Sequence, residues 1–463
     1  KQPASICNKK HFHSIRGGNM RKIICAPLHL IPKQLKENTK YFSIYSKSQR
    51  KDVGYFGSSL IKNLIKSGLS PSKEIWDFNT ISLSVVAADK SVKRGNSPDG
   101  WTRQIDLTIY LCNPSTWEPV KEKLEKTLKF LTGDFWTLTF KDGGVSFPTP
   151  KTKKSNHCES NKFNEDCVCL LSGGVDSLVG AIDLVAEGHK PIFVSQIVRG
   201  DAKIQNLYAK SICPENHHFQ WNHNIRLPKG NESEKSTRGR SLVFFAFVAL
   251  AASAIKTQCD SPVDIYVPEN GFISLNIPLT LCRMGSFSTK TTHPVYLQYI
   301  QNIWNEVGIR LNLIMPYQFK TKGEILVECK NQQLLEKLVF QSMSCGKSIR
   351  SYKKNLSKDE PKPKHCGRCI PCLVRQAAFQ YWGKTDQTSK GYLNKLERVK
   401  SKSPDDIGAV ANACLIAEQL GFRYLISGNL SFFTNHQNRS DYEGVFVRGL
   451  NEIKEFLLKE GVI

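Results

Sequence analysis

Two groups of residues in this chain of 463 residues have the types and spacing that chemistry requires. The first is the segment Ser172-Gly173-Gly174-Val175-Asp176-Ser177, which follows an apolar run (167–171) and precedes a helical pattern (178–187). Glycines allow a sharp turn, and the free N–H groups at a helix N-terminus attract an anion. The order of strand, glycine loop and helix therefore predicts a phosphate-binding loop.

The side chains of this loop suit a magnesium nucleotide. Ser172 and Ser177 add hydroxyl donors, whereas the Asp176 carboxylate would repel phosphate unless a divalent cation lay between them. We therefore predict that Asp176 is a ligand of Mg²⁺. The alternative is a simple strand-to-helix turn, in which a serine or the aspartate caps the helix and the glycines only ease the bend.

The second group is a run of cysteines. Cys366, Cys369 and Cys372 have CxxCxxC spacing, and Cys345 precedes them with residues 346–365 between. Four thiolates complete one tetrahedral zinc site, which would close a lysine-rich loop that is too polar to order itself by burial. The alternatives are unrelated cysteines in a chain that has 15, or a redox pair, although no thioredoxin-like unit surrounds the run. His365 could replace one cysteine, but we expect it to be a neighbour of the site.

Together the two groups resemble a known family. The SGGxDS loop resembles that of the PP-loop ATP pyrophosphatases, which adenylate a carboxylate or carbonyl oxygen and release pyrophosphate. With the Cys…CxxCxxC pattern downstream, the chain is similar to the 7-cyano-7-deazaguanine synthases, the QueC family. The resemblance implies ATP, Mg²⁺ and Zn²⁺ as cofactors and a deazaguanine-type carboxylate as substrate.

Further segments fit the same resemblance. Gly239-Arg240-Ser241 is similar to the family's Gly-Arg-Asn segment, with serine in place of asparagine, and residues 316–326 resemble its late strand, loop and helix. There a lysine reaches the phosphates, which implies this role for Lys322; the alternative is a solvated lysine at a helix start. Arg375 also fits the pattern. The resemblance thus implies catalytic roles for Asp176, Lys322 and Ser177, and nucleotide binding by Ser172, Gly173, Gly174, Asp176, Ser177, Arg240 and Lys322.

The departures from the family lie on the substrate side. Residues 195–201 replace its usual Tyr-Gly-Gln, residues 268–276 replace its substrate loop, and an added polar segment carries Arg283, Ser286, Thr289 and His293. With an additional N-terminal region, the chain most resembles the QatC-type proteins of bacterial anti-phage defence. That resemblance implies protein partners from a defence operon.

Composition limits the setting of this chemistry. The longest apolar run, 242–255, is too short to span a bilayer and predicts a buried helix. Residues 1–18 are polar and lack the apolar core of a signal peptide, so we expect reduced cysteines and a cytoplasmic location. The formal charge of +24 attracts polyanions, but few aromatic residues interleave with the basic ones. A solvated basic surface is therefore favoured over a dedicated RNA groove.

The elements that position these residues are predicted as follows. Residues 20–147 form an additional α+β domain, with strands at 81–87 and 104–111, a helix at 117–131 and a hairpin at 135–147 that turns at Gly143-Gly144. Residues 148–166 are a linker. Residues 167–463 form an α/β domain with a doubly wound parallel sheet, whose later strands are 192–198, 219–222, 263–267 and 312–315, followed by helices at 405–419 and 444–458. Ligands of such sheets bind at the carboxyl ends of the strands.

The expected reaction is activation of a carboxylate by ATP, followed by transfer of the acyl group to an amine. In the synthases the amine is ammonia, and a second ATP dehydrates the amide to a nitrile. The basic charge and the altered loops suggest that the acceptor here is an amine of a partner protein. The alternatives are a tRNA-modifying PP-loop enzyme and a non-catalytic nucleotide-binding subunit of a defence assembly.

Overall fold

The computed structural model of the protein describes residues 21–148, 163–197, 201–256, 261–279, 290–346, 365–388, 391–392, 396, 406–433 and 436–463. We call residues 21–148 the N-terminal half and residues 163–463 the C-terminal half. Each half contains one five-stranded sheet, and all strand pairs in both sheets are parallel. The prediction of a parallel α/β sheet in the C-terminal half is confirmed.

The N-terminal sheet has the strand order β3-β2-β1-β4-β5. Its strands are β1 (Arg21–Ala26), β2 (Thr39–Ile44), β3 (Gly54–Phe56), β4 (Gln104–Leu111) and β5 (Phe135–Asp142). Its helices are α1 (Leu60–Lys66), α2 (Lys73–Ser91), α3 (Pro114–Trp117) and α4 (Lys121–Thr132). Helices connect β3 to β4 and β4 to β5, and all strands of this sheet are parallel. The prediction of an α+β domain is therefore wrong, and this half is α/β.

Two local predictions in this half are also wrong. The strand expected at 81–87 lies inside α2, which is buried from Trp76 to Ala88 because it packs against β4 on one side and the C-terminal half on the other. A helix that is buried all round loses the periodicity by which it is recognised. The expected hairpin is absent because β5 pairs parallel with β4, and the chain leaves the sheet at Gly143, whose φ is +97°.

The C-terminal sheet has the order β10-β9-β6-β7-β8. Its strands are β6 (Cys167–Leu170), β7 (Pro191–Gln196), β8 (His218–Trp221), β9 (Val263–Tyr266) and β10 (Leu311–Ile314), which confirms every strand predicted there. The crossover helices are α5 (Val175–Ala186), α6 (Ala202–Ile212), α7 (Arg240–Ala252), α8 (Gly271–Leu275) and α9 (Pro294–Glu306). The apolar run at 242–255 is the buried helix α7, as predicted.

The chain leaves β6 and β9, which are neighbours, in opposite directions. Such a switch point opens a crevice at the carboxyl ends of the two strands, where ligands of doubly wound sheets bind. The loop that begins at Ser172 follows β6, and the segment Pro268-Glu269-Asn270 follows β9. The topology therefore brings the predicted phosphate loop and the altered substrate loop to the same crevice.

The remaining helices pack around this crevice and carry the cysteine run. They are α10 (Lys322–Val327), α11 (Gln332–Leu338), α12 (Ile370–Tyr381), α13 (Asp406–Leu420), α14 (Phe422–Leu430) and α15 (His436–Lys459). Helices α13 and α15 confirm the two C-terminal helices predicted, and α15 packs against α8, α10 and α12. Among the described residues, no helix has the length and apolar character needed to cross a membrane.

Candidate functional site

The predicted phosphate loop is a tight turn between β6 and α5. Gly173 has φ of +88°, a conformation that favours glycine, and α5 begins two residues later at Val175. Inside the turn the Ser177 hydroxyl donates to the Gly174 carbonyl at 3.1 Å and accepts from the Ser172 N–H at 3.1 Å. The loop is thus preformed at the N-terminus of a twelve-residue helix, where backbone N–H groups and the helix dipole favour an anion.

Asp176 lies in the first turn of α5 and is almost completely buried, with 5% of its surface exposed. One carboxylate oxygen, Oδ1, accepts a hydrogen bond from the Lys322 ammonium group. The other, Oδ2, accepts from the Asn270 side chain at 2.6 Å and from its backbone N–H at 3.3 Å. Three elements, α5, the loop after β9 and α10, therefore meet at one carboxylate in the crevice.

The charges at this meeting point are coupled. Burial opposes the ionisation of Asp176, but the Lys322 charge and several hydrogen bonds outweigh it and hold the pKa of the carboxyl below its usual range. Burial raises the pKa of the neighbouring Glu269 well above its ordinary value, and the negative charge of Asp176 raises it further. These effects therefore favour the ionised form of Asp176 and oppose the ionisation of Glu269.

Lys322 is oriented by the start of α10. Thr321 caps this helix in a capping box with Glu324, and it is completely buried. The Glu452 carboxyl of α15 accepts from the Thr321 hydroxyl and, at 3.3 Å, from the Gly323 N–H. Arg448, one turn earlier on α15, contacts Glu324. The C-terminal helix, in which the sequence shows no chemistry, thus fixes the residues on both sides of Lys322.

The four predicted zinc ligands come together. The sulphur atoms of Cys345, Cys366, Cys369 and Cys372 all lie within 4.8 Å of one another, and two of the pairs are 3.9 Å apart. A tetrahedral zinc ion with Zn–S bonds of about 2.3 Å separates its sulphur ligands by about 3.8 Å. The cluster could therefore hold a metal such as zinc, and none of its four cysteines forms a disulfide.

The cysteine cluster is connected to the phosphate loop. The Met343 N–H, two residues before Cys345, donates to the Gly173 carbonyl at 3.0 Å. Arg375 is completely buried, pairs with Asp386 and donates to the Ser342 hydroxyl. The segment that leads into the cysteine cluster therefore also contacts the phosphate loop.

His365 is not one of the cluster's ligands. Its Nε2 accepts from the Ser344 N–H at 3.0 Å, and its Nδ1 lies 2.8 Å from the Thr388 hydroxyl. Both ring nitrogens therefore have partners, and His365 is a neighbour of the cysteines, as expected.

A cavity of about 470 Å³ opens between the crevice and the cysteine cluster. Glu269 lies in its wall, next to the meeting point of Asp176 and Lys322. The other lining residues come from α8 and the residues after it, the loop before α9, the residue after Cys345, and the starts of α12 and α13: Phe272, Ile273, Asn276, Ile277, Leu279, Thr291, Thr292, Gly346, Cys369, Ile370, Pro371 and Asp406. The lining of this space combines apolar side chains with the carboxyl groups of Glu269 and Asp406.

The remaining predicted residues have different positions. Arg240 is the first residue of α7 and is exposed, within electrostatic range of Asp201 beyond β7. His293 is buried and caps α9 with its Nδ1, so its role in this structure is structural. Arg283, Ser286 and Thr289 lie outside the described residues.

The sequence indicates Glu269 and Asn270 only as members of the altered substrate loop, without individual roles, and it does not point to Glu452. Asn270 carried a usable signal, since an asparagine before an apolar helical turn is a common N-cap, and it does cap α8 through its side chain. No local sequence signal identifies Glu269 or Glu452, because the role of each depends on contacts with residues far away in the chain. A scan of the sequence against models of known protein families found no model that matches.

Proposed function

We propose that the protein uses ATP to activate a carboxylate, most specifically that of a 7-deazaguanine, and transfers the acyl group to an amine. The observation that carries the proposal is the convergence of Asp176, Asn270 and Lys322 beside a preformed loop at the switch point. A triphosphate requires cations and N–H donors at its oxygens, and this crevice offers a lysine and a helix N-terminus together.

The reaction would run in two steps. A carboxylate oxygen of the substrate attacks the α-phosphorus of ATP, the bond to the β-phosphate oxygen breaks, and pyrophosphate leaves. An amine nitrogen then attacks the acyl carbon, and AMP leaves as the amine loses a proton. Lys322 would neutralise charge on the triphosphate, and the loop amides with Ser172 and Ser177 would bind its oxygens.

Asp176 is the residue that would hold a magnesium ion. The ion would supply positive charge beside the phosphates, and the ionised carboxylate at the helix start suits an oxygen-preferring cation. Both of its oxygens already accept hydrogen bonds from protein groups. The role of Asp176 is therefore twofold in this proposal: it orients Lys322 and Asn270, and it offers its remaining lone pairs to the metal.

The cavity beside Glu269 is the proposed place of the carboxylate substrate. Its position between the crevice and the cysteine cluster would direct a bound acid toward the phosphate loop. Part of its wall, from Glu269 to Asn276, belongs to a segment that departs from the deazaguanine synthases, which supports a different acceptor. We propose an amine of a partner protein as that acceptor, giving a deazaguanine amide conjugate.

Pyrophosphate exchange across a panel of carboxylic acids tests the activation step. We expect exchange with the deazaguanine acid in the wild-type protein and its loss in Asp176→Ala. ATP binding without exchange for any acid would instead indicate a nucleotide-sensing subunit, and exchange that needs tRNA would indicate a tRNA-modifying enzyme. Mass spectrometry of candidate partners tests the acceptor, because an unchanged partner beside free nitrile would rule out conjugation.

A further inference from the structure

The long segment between β8 and α7 has no helix or strand of its own. We call this segment, residues 222–239, the connector; it ends immediately before Arg240, to which the family resemblance behind the proposed function assigns nucleotide binding. Backbone N–H and C=O groups outside regular structure still need partners when they are shielded from water. The residues that form hydrogen bonds with the connector backbone therefore determine what holds Arg240 in place.

The first part of the connector bonds to the N-terminal half. Tyr55 and Arg226 exchange two backbone hydrogen bonds of 3.0 and 2.8 Å, in the manner of an antiparallel bridge. The Gly57 N–H donates to the His223 carbonyl at 2.9 Å, and the Lys229 N–H donates to the Lys51 carbonyl at 2.7 Å. The connector therefore lies along β3 and its flanking residues.

The last part of the connector is held by the end of α2. Oδ2 of Asp89 accepts from the backbone N–H groups of Arg238 and Gly239, both at 2.7 Å. The Glu234 N–H donates to the Lys90 carbonyl at 2.8 Å, and the Glu234 carboxylate accepts from the Arg94 N–H at 2.8 Å. One carboxylate of the N-terminal half thus binds the two residues immediately before Arg240.

Asp89 is itself fixed by a buried ionic network. Its Oδ1 accepts from Arg103 at 2.5 Å, and Arg103 also binds Asp134, which pairs with Arg94. Asp89, Arg103, Asp134 and Arg94 are each at most 2% exposed. Charge-assisted hydrogen bonds of this kind, shielded from water, hold their partners in one geometry.

The two halves are built alike and pair through equivalent helices. Numbered within each half, both sheets have the strand order 3-2-1-4-5. Helix α2, which leads from the third strand to the fourth, packs on α7, its counterpart, and α4 packs on its counterpart α9. One apolar core spans both halves, with Phe78 of α2 edge-on to Trp304 of α9 at 5.8 Å. Two related subunits that pair about a pseudo-twofold axis would make the same contacts between equivalent helices.

The N-terminal half lacks the loop that its counterpart carries. Its first strand, β1, is followed by Pro27, Leu28 and His29, where the C-terminal half has Ser172, Gly173 and Gly174 after β6. We propose that the N-terminal half is a fused partner subunit without a phosphate loop, whose Asp89 positions the connector and thereby Arg240 at the nucleotide edge. The part of this inference that concerns Arg240 rests on the proposed function.

The test compares Asp89→Asn with the matched control Asp106→Asn. Asparagine keeps the size of aspartate, but its single acceptor oxygen cannot serve both Arg103 and the two connector amides. Asp106 lies on β4, where its carboxylate pairs with Lys22 at 3.8 Å, and it is not one of the residues described above that bond to the connector. We expect amide hydrogen exchange in residues 222–239 to become about tenfold faster or more in Asp89→Asn, and to stay unchanged in the control.

Pyrophosphate exchange gives the second readout. We expect Asp89→Asn to raise the KM for ATP about tenfold with a smaller change in kcat, since it displaces a binding residue and leaves Lys322 in place. In an Arg240→Ala background the same substitution should add little to the rise in KM, because both act through one side chain. Full additivity of the two effects would overturn the positioning role.

A second variant, on the connector side of the contact, tests the same role if Asp89→Asn does not fold. Glu234→Gln weakens the hydrogen bond between the connector and the Arg94 N–H and leaves the buried Arg103 network intact. We therefore expect faster amide hydrogen exchange in residues 222–239 of this variant, whether or not Asp89→Asn folds. If the wild-type protein shows no pyrophosphate exchange, the proposed function fails, while hydrogen exchange still tests the partner-subunit role. Unchanged protection of the connector in both variants would refute that role.

Discussion

At the scale of single residues, the site depends on a buried ion pair. Lys322 and Asp176 are each less than 10% exposed, and they lie 146 positions apart in the chain. Removing one member of such a pair leaves the other as an uncompensated buried charge. The pair therefore links the stability of the crevice to its proposed chemistry.

Lys322→Met should affect both properties. We expect pyrophosphate release to fall about 100-fold or more, since the charge that would neutralise the triphosphate is lost. We also expect a loss of about 3 kcal/mol in the free energy of unfolding, because Asp176 remains buried without its cation. Steady-state assays and urea denaturation measure the two effects.

Lys320 provides the control for this substitution. It lies two residues earlier and pairs with Glu328 at the surface, so Lys320→Met should leave both quantities nearly unchanged. The double variant Lys322→Met/Asp176→Asn should recover part of the stability and none of the activity. Normal pyrophosphate release in Lys322→Met would contradict the assignment of the phosphate lysine.

At the scale of elements, the junction of α10 and α15 is sensitive to pH. Burial raises the pKa of Glu452 from 4.5 to about 7. The folded protein therefore favours the protonated acid, whose stabilising contribution is complete below about pH 4.5 and is lost as the pH rises through 7. A shift of this size corresponds to about 3 kcal/mol.

Glu452→Gln should remove this dependence, since an amide does not ionise. We expect the free energy of unfolding of the variant minus that of wild type to increase by about 3 kcal/mol between pH 4.5 and 8, because only the wild type loses stability as the pH rises. Denaturant titrations at the two pH values measure the difference. A constant difference across that range would show that the Glu452 carboxyl does not titrate within it.

The cysteine cluster is the second junction between elements. We expect one zinc ion per chain by elemental analysis and its loss in Cys372→Ser, since three thiolates hold the ion less tightly than four. Because Met343 bonds to Gly173, loss of the metal should also weaken ATP binding. Cys213→Ser, at a cysteine outside the cluster, is the control, and a variant without zinc that binds ATP normally would separate the two sites.

At the scale of the whole molecule, the charge of +24 creates a long-range field for polyanions. We expect tRNA to bind weakly, with an affinity that falls steeply between about 50 and 200 mM salt, as for non-specific contacts to phosphates. Pyrophosphate exchange should not respond to the added tRNA. Stimulation by tRNA would instead favour the tRNA-modifying alternative, and filter binding with exchange assays at the two salt concentrations distinguishes the cases.

Much of the C-terminal half could be predicted because its signals are local. Strand β6, the glycine loop and α5 are consecutive, and three of the four clustered cysteines lie within seven residues. In the N-terminal half the apolar pattern of α2 indicates a strand, since its apolar residues face both a sheet and another helix. The pattern of residues 135–147 indicates a hairpin, because it does not reveal that the partner strand of β5 is β4 and runs parallel.

The sequence by itself determined the parallel C-terminal sheet and the identity of the residues that form the glycine loop and the cysteine cluster. Only the tertiary structure decided that Asn270 and Lys322 meet at Asp176, that Glu452 anchors the start of α10, and that Asp89 holds the connector. The physical reason is the separation along the chain over which each kind of interaction acts. Backbone propensity and side-chain periodicity act between near neighbours, whereas these contacts join residues separated by 94 to 149 positions, which the packing of sheets and helices alone brings together.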